Sequence, residues 1–301
     1  MGSRILVTGA LGQIGTELVE ALEDRFGVDA VVPTDLRATD RCQALDVTDL
    51  PAMRTLVEEN DIGTIYHLAA LLSATGEKMP DLCWKINVGG LENVISVARA
   101  YDCRVYSPSS IAVFGPDCPP IAPQVTPLNP TTVYGRTKVA GEQMAISSGI
   151  DIRGVRYPGL ISYKAPPGGG TTDYAVEIFH AAIKDGHYDC FVRADTRLPM
   201  MYMDDAIRAT LELMDAPRES LQEARGGYNI EGCSFNVTEL VTSIQRHLPD
   251  FTCTFTPDER QSYADSWPDE VEDDIARAEW NWNPQFDLDA IVDAMFKGLR
   301  P

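Results

Sequence analysis

Short apolar runs rich in β-branched residues alternate with stretches of helical periodicity through the first half of the chain. The run Arg4–Thr8 predicts a strand, and Leu18, Val19 and Leu22 follow it at helical spacing. Further strands are predicted at 30–34, 64–67, 104–107 and 151–156, and long helices with apolar stripes at 81–100 and 131–147. This alternation predicts an α/β fold in which helices flank a doubly wound parallel sheet.

The pattern changes after Tyr157, where prolines and glycines interrupt it at Pro158, Pro166, Pro167 and Gly168 to Gly170. Such a segment predicts a loop that closes over a ligand. The C-terminal third mixes short strands near 227–230 and 251–255 with helices near 237–247 and 288–299. We therefore predict a larger domain at 1–160 and a smaller lobe mainly at 161–301, with residues near 198–216 returning to the larger domain.

A glycine turn follows the first predicted strand, in the order Gly9-Ala-Leu-Gly12-Gln-Ile-Gly15. Gly9 permits a tight turn, Gly12 lets a pyrophosphate approach the backbone, and Gly15 allows close packing of the following helix. Asp35 ends the next apolar segment twenty positions after Gly15, where an acid that binds the ribose hydroxyls is expected. Its carboxylate would repel a 2′-phosphate, so this Rossmann motif favours NAD over NADP, although Arg37 weakens that preference slightly.

Tyr134 and Lys138 are spaced i, i+4, which places a phenol and an ammonium on one face of a predicted helix. A lysine cation one turn away favours the phenolate, so the pair can act together on a proton. Ser110 emerges after a predicted strand, at the sheet edge where doubly wound folds bind ligands. Each feature alone also suits an ordinary surface or turn residue, but their combination with the glycine turn predicts an enzyme.

The chain has 301 residues, of which 44% are hydrophobic and 23% charged, and its formal net charge is -20. This charge argues against nucleic-acid and anionic-membrane partners. The seven cysteines and four histidines lack metal-ligand spacing, so neither a metal site nor a disulfide framework is predicted. No apolar run approaches the length of a membrane span, and a strand predicted from Arg4 leaves no room for a signal peptide, so we expect a cytoplasmic protein.

The order of these motifs resembles the extended short-chain dehydrogenase/reductase family over essentially the whole chain. The motifs are the glycine turn, Asp35, His67-Leu-Ala-Ala70, Ser110, Tyr134 with Lys138, and Arg156-Tyr-Pro-Gly159. Three loops resemble the short-chain-type L-threonine 3-dehydrogenases within that family, namely residues 71–77, 168–177 and 257–268. The segment 198–205 does so as well.

This resemblance implies oxidation of the β-hydroxyl of L-threonine to 2-amino-3-oxobutyrate, with NAD accepting the hydride. Tyr134 would be the base, Lys138 would lower its pKa and bind the ribose, and Ser110 would hold the reacting oxygen. Ser73, Thr171 and Thr172 would join Ser110 and Tyr134 around the amino acid. The cofactor would contact Gly9, Gly12, Gln13, Ile14, Gly15, Asp35, Leu36, Arg37, Asp46, Val47, Leu68, Ala69, Ala70, Asn87, Ser109, Tyr134, Lys138, Tyr157 and Pro158.

The resemblance also implies a homodimer in which the helices at 81–100 and 131–147 form a four-helix bundle across a two-fold axis. A lid at 168–174 that brings Thr171 and Thr172 inward is a further hypothesis. Two alternatives stay open at this point. One is a nucleotide-sugar epimerase or dehydratase with the same fold, and the other is a regulatory protein that binds NAD without chemistry.

Overall fold

Strands and helices alternate along the chain in a computed structural model that describes residues 3–164 and 168–300. The strands are β1 Arg4–Thr8, β2 Val31–Asp35, β3 Gln43–Ala44, β4 Ile62–His67, β5 Arg104–Tyr106, β6 Ser109–Ser110, β7 Ile121–Ala122, β8 Ile152–Arg153, β9 Val155–Tyr157, β10 Gly159–Ile161, β11 His187–Cys190, β12 Arg197–Tyr202, β13 Tyr228–Asn229, β14 Cys233–Asn236, β15 Thr252–Phe255 and β16 Glu270–Val271. The helices are α1 Gln13–Phe26, α2 Leu50–Glu59, α3 Ser73–Lys78, α4 Pro80–Trp84, α5 Gly90–Tyr101, α6 Val133–Ser147, α7 Tyr174–Asp185, α8 Met203–Asp215, α9 Val237–Gln245, α10 Arg260–Ala264, α11 Asp274–Trp280 and α12 Leu288–Leu299.

The main sheet has six parallel strands in the order β3-β2-β1-β4-β5-β8. Neighbouring residues of β1 point to opposite faces, and both faces are covered. Leu6 packs in a core with Met53 of α2 and Val94 of α5, whereas Val7 packs in a core that includes Leu18 of α1. Burial on both sides explains the continuous apolar runs of these strands. The predicted doubly wound α/β fold is confirmed.

Two predicted elements differ from the structure in detail. The helix predicted at 81–100 is helical throughout, but a π turn at Lys85–Gly89 joins α4 to α5. The strand predicted at 151–156 is divided into β8 and β9 at Gly154, where a Cβ would lie 2.2 Å from the carbonyl oxygen of Ser107. Beyond this point the chain changes partners, because β8 pairs with β5 whereas β9 pairs with β6 and β13.

The second half of the chain builds smaller sheets around its own apolar core. The strands β10, β12 and β14 form one of these sheets, β11 pairs with β15, and β7 pairs with β16. Helices α7, α9 and α12 pack together in the core of this part. Two segments instead lie against the main sheet. One is α8, whose Asp215 accepts a hydrogen bond from Arg25 of α1 at 2.7 Å. The other is β13, which pairs with β9 in a separate three-stranded sheet with β6 and whose Tyr228 packs in the same core as Val7 of β1.

Among the helices of the described residues, none combines the length and the apolar character needed to cross a membrane.

Candidate active site

The glycine turn places the start of α1 at the carboxyl end of β1. Gly9 has a φ of +72°, and a Cβ there would lie 2.7 Å from the backbone nitrogen of Ala69. A Cβ on Gly15 would lie 2.2 Å from the carbonyl oxygen of Gly9. Gly12 precedes the first residue of α1 and offers no side chain to cap it. The N–H groups at the start of α1 are therefore available to an anion such as a pyrophosphate.

A cavity of about 250 Å³, here called the glycine-turn cavity, opens beside this turn. It is lined by Gly9, Gly12, Asp35, Leu36, Leu45, Asp46, Val47, Leu68, Ala69, Ala70, Leu71 and Ile86. The Asp35 carboxylate accepts a hydrogen bond from the Leu11 backbone N–H at 3.1 Å, which fixes it at the end of β2. The Asp35 carboxylate can accept hydrogen bonds from the hydroxyls of an unmodified ribose. Gly12 has no side chain to keep a diphosphate away from the backbone, so the cavity fits an adenosine diphosphate.

The catalytic candidates stand at the start of α6. Thr132 caps this helix by accepting a hydrogen bond from the Gly135 N–H at 3.0 Å. The Glu77 carboxylate of α3 accepts another from the Val133 N–H at 2.6 Å. Together they satisfy two of the N–H groups that a helix start leaves free. The first turn of α6, which carries Tyr134, is thereby tied to α3.

Lys138 lies one turn beyond Tyr134 on the same face. Its Nζ donates a hydrogen bond to the Pro108 carbonyl oxygen at 2.8 Å and lies 5.6 Å from the centroid of the Tyr134 ring. Pro108 immediately precedes β6, which carries Ser109 and Ser110. The backbone of this segment therefore positions the ammonium and the serine hydroxyl around the same phenol.

Burial dominates the electrostatics of this pair. It raises the pKa of Tyr134 to about 12, while a hydrogen bond from the Ser110 hydroxyl acts in the opposite direction. Burial also lowers the pKa of Lys138 to about 8, although the negative charge of Glu142 opposes this shift. In the protein alone the phenol is thus protonated at neutral pH, and the phenolate requires further positive charge nearby.

A second cavity, here called the tyrosine cavity, has a volume of about 150 Å³ and shares Leu68 and Ala70 with the glycine-turn cavity. It brings together Gln13, Ile14, Leu68, Ala70, Ser73, Ser109, Ser110, Tyr134, Lys138, Tyr157, Pro158, Thr171 and Thr172, all of which the sequence indicated. Hydroxyls and one ammonium thus surround a space of small-molecule size. A substrate hydroxyl bound there would lie beside both a proton acceptor and a hydrogen-bond donor.

Two further residues with polar side-chain atoms, Asp173 and Trp267, line the tyrosine cavity; both lie in loops that the sequence indicated, but neither was predicted as a site residue. Asp173 directly follows the two predicted substrate threonines, and an acid at that position was an available signal. Trp267 follows α10 in the C-terminal part and packs on apolar residues of both neighbouring cores. The loop 257–268, which contains Trp267, resembles the L-threonine 3-dehydrogenases in sequence, but the place of this one side chain at the cavity depends on contacts between parts of the chain that are distant in sequence.

Asp173 fixes the glycine-rich loop in front of α7. Its Oδ2 accepts hydrogen bonds from the Gly169 and Gly170 N–H groups, both at 2.7 Å, and burial raises its pKa. Gly169 has a φ of +90°, a conformation that proline cannot adopt. Pro166 and Pro167, which contributed to the loop prediction, lie outside the described residues.

Comparison with known proteins gives the family. The profile of the NAD dependent epimerase/dehydratase family matches residues 5–230. An uncharacterised epimerase/dehydratase of Staphylococcus haemolyticus is 45% identical over 99% of this chain and 98% of its own length. The chain belongs to the NAD dependent epimerase/dehydratase family. Its cofactor is accordingly NAD, as the glycine turn and Asp35 predicted.

Solved structures narrow the resemblance. A GalE-like L-threonine dehydrogenase from Cupriavidus necator, in its holo form, is 48% identical with a TM-score of 0.96, covering 99% of this chain and 100% of that one. A monomeric L-threonine 3-dehydrogenase from a metagenome is 51% identical with a TM-score of 0.95, covering 98% of both chains. The resemblance to L-threonine 3-dehydrogenases that the loops indicated is confirmed.

Some residues predicted to contact NAD have other partners in this protein. Asn87 exchanges hydrogen bonds with the backbone of Leu71, at 2.7 and 3.1 Å, and donates another to Thr137 Oγ1 at 3.1 Å. The Tyr157 hydroxyl lies in the core and accepts a hydrogen bond from Tyr106 at 2.8 Å. The polar groups of both residues are therefore engaged within the protein, and a contact to NAD would use their remaining surface.

Two other predicted cofactor residues do not line either cavity. Gly15 is buried under the turn, against the carbonyl oxygen of Gly9, so its contribution is to the packing that shapes the site. Arg37 is exposed after β2 and lies outside the residues that form the glycine-turn cavity. Its guanidinium has no 2′-phosphate partner in NAD, which agrees with the family's cofactor.

Proposed function

We propose that the protein oxidises the β-hydroxyl of L-threonine to 2-amino-3-oxobutyrate with NAD as the acceptor. The observation that carries this proposal is the convergence of Ser110, Tyr134 and Lys138 with Ser73, Thr171 and Thr172 on one cavity of about 150 Å³. The high identity to solved L-threonine 3-dehydrogenases supports the choice of substrate.

The groups that would hold NAD are the N–H groups of the helix start after Gly12, the Asp35 carboxylate, which would accept from the hydroxyls of one ribose, and the Lys138 ammonium, which would donate to the other. When bound, NAD accepts a hydride at its nicotinamide ring. Tyr134 as phenolate takes the proton of the substrate hydroxyl, and Ser110 holds the hydroxyl oxygen. Lys138 stabilises the phenolate by its charge, and a bound nicotinamide cation would add to the positive charge that the buried phenol needs.

The amino acid part of the substrate needs groups for an ammonium and a carboxylate. The Asp173 carboxylate is an acceptor on the wall of the tyrosine cavity and suits the ammonium. Thr171 and Thr172 supply hydroxyls to the carboxylate, and Trp267 closes the cavity. Among the described lining residues, Lys138 is the one basic side chain, which is a poor match to the diphosphate of a nucleotide sugar.

The experiment is NADH formation from purified protein with NAD and L-threonine. D-threonine, L-allo-threonine and NADP serve as substrate and cofactor controls. Tyr134→Phe should abolish most turnover, whereas Tyr101→Phe, which removes a hydroxyl that donates to Glu58 on α2, should leave it unchanged. Absence of NADH with bound NAD, together with a rise in melting temperature with UDP-sugars but not with L-threonine, would reject the proposal in favour of an epimerase.

We also propose that the protein is a homodimer, paired through α4, α5 and α6. Trp84 and Ile146 on these helices are 40% and 50% exposed. Large apolar side chains on an outer helical surface favour a partner. One relative at 51% identity is a monomer, so light scattering must decide for this chain. A monomeric mass would reject the dimer without affecting the proposed reaction.

The cytoplasmic location and the division into two domains at residue 160 stay predictions.

A further inference from the structure

A third, small cavity adjoins Lys138 and shares Ala70, Pro108, Ser109 and Lys138 with the tyrosine cavity. Its volume is about 20 Å³, and we call it the lysine cavity. Its lining includes the polar residues His67, Ser107, Ser109, Lys138 and Glu142. A cavity needs about 10–15 Å³ by this measure to hold one water molecule, and a water needs two to four polar partners. The lysine cavity therefore has room for one water, with polar neighbours on several sides.

His67 supplies a buried polar atom that no described residue satisfies. The residue is only 4% exposed at the end of β4. Its Nδ1 lies 2.8 Å from Thr8 Oγ1, but Nε2 is buried with no hydrogen-bond partner among the described residues. Buried polar side-chain atoms nearly always have a partner in protein or ordered water. In either tautomer, Nε2 offers one hydrogen bond, as donor or as acceptor, to a water in this cavity.

Lys138 supplies the second partner. An ammonium has three N–H donors, and one of them is used on the Pro108 carbonyl oxygen at 2.8 Å. The remaining two are available to other partners, such as the ribose of a bound cofactor and a water in the lysine cavity, which Lys138 lines. Burial lowers the pKa of Lys138 to about 8, close to working pH. Each hydrogen bond that the ammonium donates favours the charged form and therefore raises the pH at which the amine loses its proton.

Glu142, one turn further along α6, is already engaged. Its Oε1 accepts from Ser109 Oγ at 2.5 Å and from Arg156 Nε at 2.9 Å, and its Oε2 accepts from Arg156 Nη2 at 2.8 Å. It thus cannot fully replace a water as a partner of Lys138. The titratable and charged groups facing Lys138 are Tyr134, Cys83, Glu142 and His67, and Arg156 neutralises Glu142 from behind.

We propose that the lysine cavity binds a single water molecule between His67 Nε2 and Lys138 Nζ, and that His67 is thereby a positioning residue for Lys138. The water accepts a hydrogen bond from the ammonium and completes its coordination. Burial and the charge of Lys138 hold the pKa of His67 at about 3, so the imidazole is a neutral anchor and not a proton acceptor at working pH. The effect on catalysis rests on the proposed dehydrogenase activity, but the water site itself does not.

The direct test is a high-resolution crystal structure of the wild-type protein with NAD. We expect density for one water within hydrogen-bond distance of both His67 Nε2 and Lys138 Nζ. A well-ordered His67 with a dry cavity would overturn the proposal. This measurement does not depend on the substrate, so it stays informative if L-threonine is not oxidised.

The functional test compares His67→Phe with His67→Gln, whose amide reaches about as far as Nε2. We expect the Phe variant to lose about tenfold in kcat, with the KM for NAD nearly unchanged. The alkaline limb of its kcat profile should shift to lower pH by about one unit, because the Lys138 ammonium loses a hydrogen bond and its pKa falls. The Gln variant should stay close to wild type in both. Equal behaviour of the two variants would overturn the positioning role, and if the Phe variant does not fold, the crystallographic result decides.

Discussion

At the residue scale, the reactivity of Tyr134 is a balance between burial and the groups around its hydroxyl. Burial outweighs the other influences and raises the pKa of this phenol to about 12, far from that of a base at neutral pH. The Ser110 hydroxyl is the one neighbour whose hydrogen bond lowers that pKa. Sequence spacing pointed to Lys138 as the main influence, but in the folded protein Lys138 is itself partly desolvated. In the proposed reaction, the serine would therefore increase the acidity of the Tyr134 phenol as well as hold the substrate hydroxyl.

This balance predicts the pH dependence of Ser110→Ala. Loss of the hydrogen bond raises the pKa of Tyr134 further, so the phenolate forms only at higher pH. The acid limb of the kcat/KM profile should shift to higher pH, and activity at neutral pH should fall about tenfold or more. Ser110→Thr keeps the hydroxyl and should restore the wild-type profile. A Ser110→Ala profile that is lower but unshifted would mean that Ser110 acts on substrate binding alone.

At the scale of elements, the site depends on how α3 is tied to α6. The Glu77 carboxylate reaches from α3 to the Val133 N–H, next to Tyr134. Glu77→Ala removes both this hydrogen bond and a negative charge at a helix start, so we expect a loss of about 1 kcal/mol in the free energy of unfolding. We also expect a lower kcat, because the first turn of α6 carries the phenol.

The control for this prediction is Glu92→Ala, which removes an exposed acid from the first turn of α5. Denaturant unfolding gives the stability of both variants, and NAD titration shows whether the glycine-turn cavity is intact. If Glu77→Ala and Glu92→Ala lose the same stability and the same activity, the link between α3 and α6 has no specific role in the site.

The glycine-rich loop before α7 is a second element on which the site depends. A proline at position 169 would not test whether the lid at 168–174 closes, because the positive φ of Gly169 excludes proline in both an open and a closed loop. Asp173→Asn keeps an oxygen that can accept from the Gly169 and Gly170 N–H groups but removes the charge. We expect the KM for L-threonine to rise at least tenfold and the KM for NAD to change little.

Asp185→Asn, at the exposed end of the same helix, is the matched control and should leave both constants unchanged. Equal increases in the two Michaelis constants of Asp173→Asn would show that the loop supports the whole site, and not the amino acid part of the substrate in particular.

Elements that are determined by short-range sequence patterns were predictable, whereas features that depend on contacts between residues distant in sequence were not. The strand β1, the glycine turn and α12 follow from short-range patterns, and each lies where it was expected. The break at Gly154 depends on a contact with Ser107 and on pairing with β13, both distant in sequence. Trp267 reaches the tyrosine cavity only through folding of the C-terminal part. Protonation is equally non-local, because burial sets the pKa of Lys138.

At the scale of the whole molecule, the excess of negative charge affects stability, and hydrogen bonds and ion pairs between neighbouring residues do not neutralise it. The chain carries 45 acidic and 25 basic residues. Several acids have partners, such as Asp265, which accepts from Arg193 at 2.7 Å, but both side chains of that pair are nearly half exposed. Exposed pairs of this kind stabilise a protein little, whereas the excess negative charge repels itself across the surface.

We therefore expect the melting temperature at pH 7 to rise by a few degrees when NaCl is increased from a few millimolar to about 0.1 M, where the Debye length falls to about 10 Å. KCl at the same ionic strength should give the same rise, because screening does not depend on the identity of the ion. A triple variant, Glu259→Gln, Asp269→Asn and Glu272→Gln, removes three exposed acids and should respond less to salt. A melting temperature that is flat or falls with NaCl would mean that the attractive pairs outweigh the repulsion. A rise with only one of the two salts would instead indicate a specific cation site.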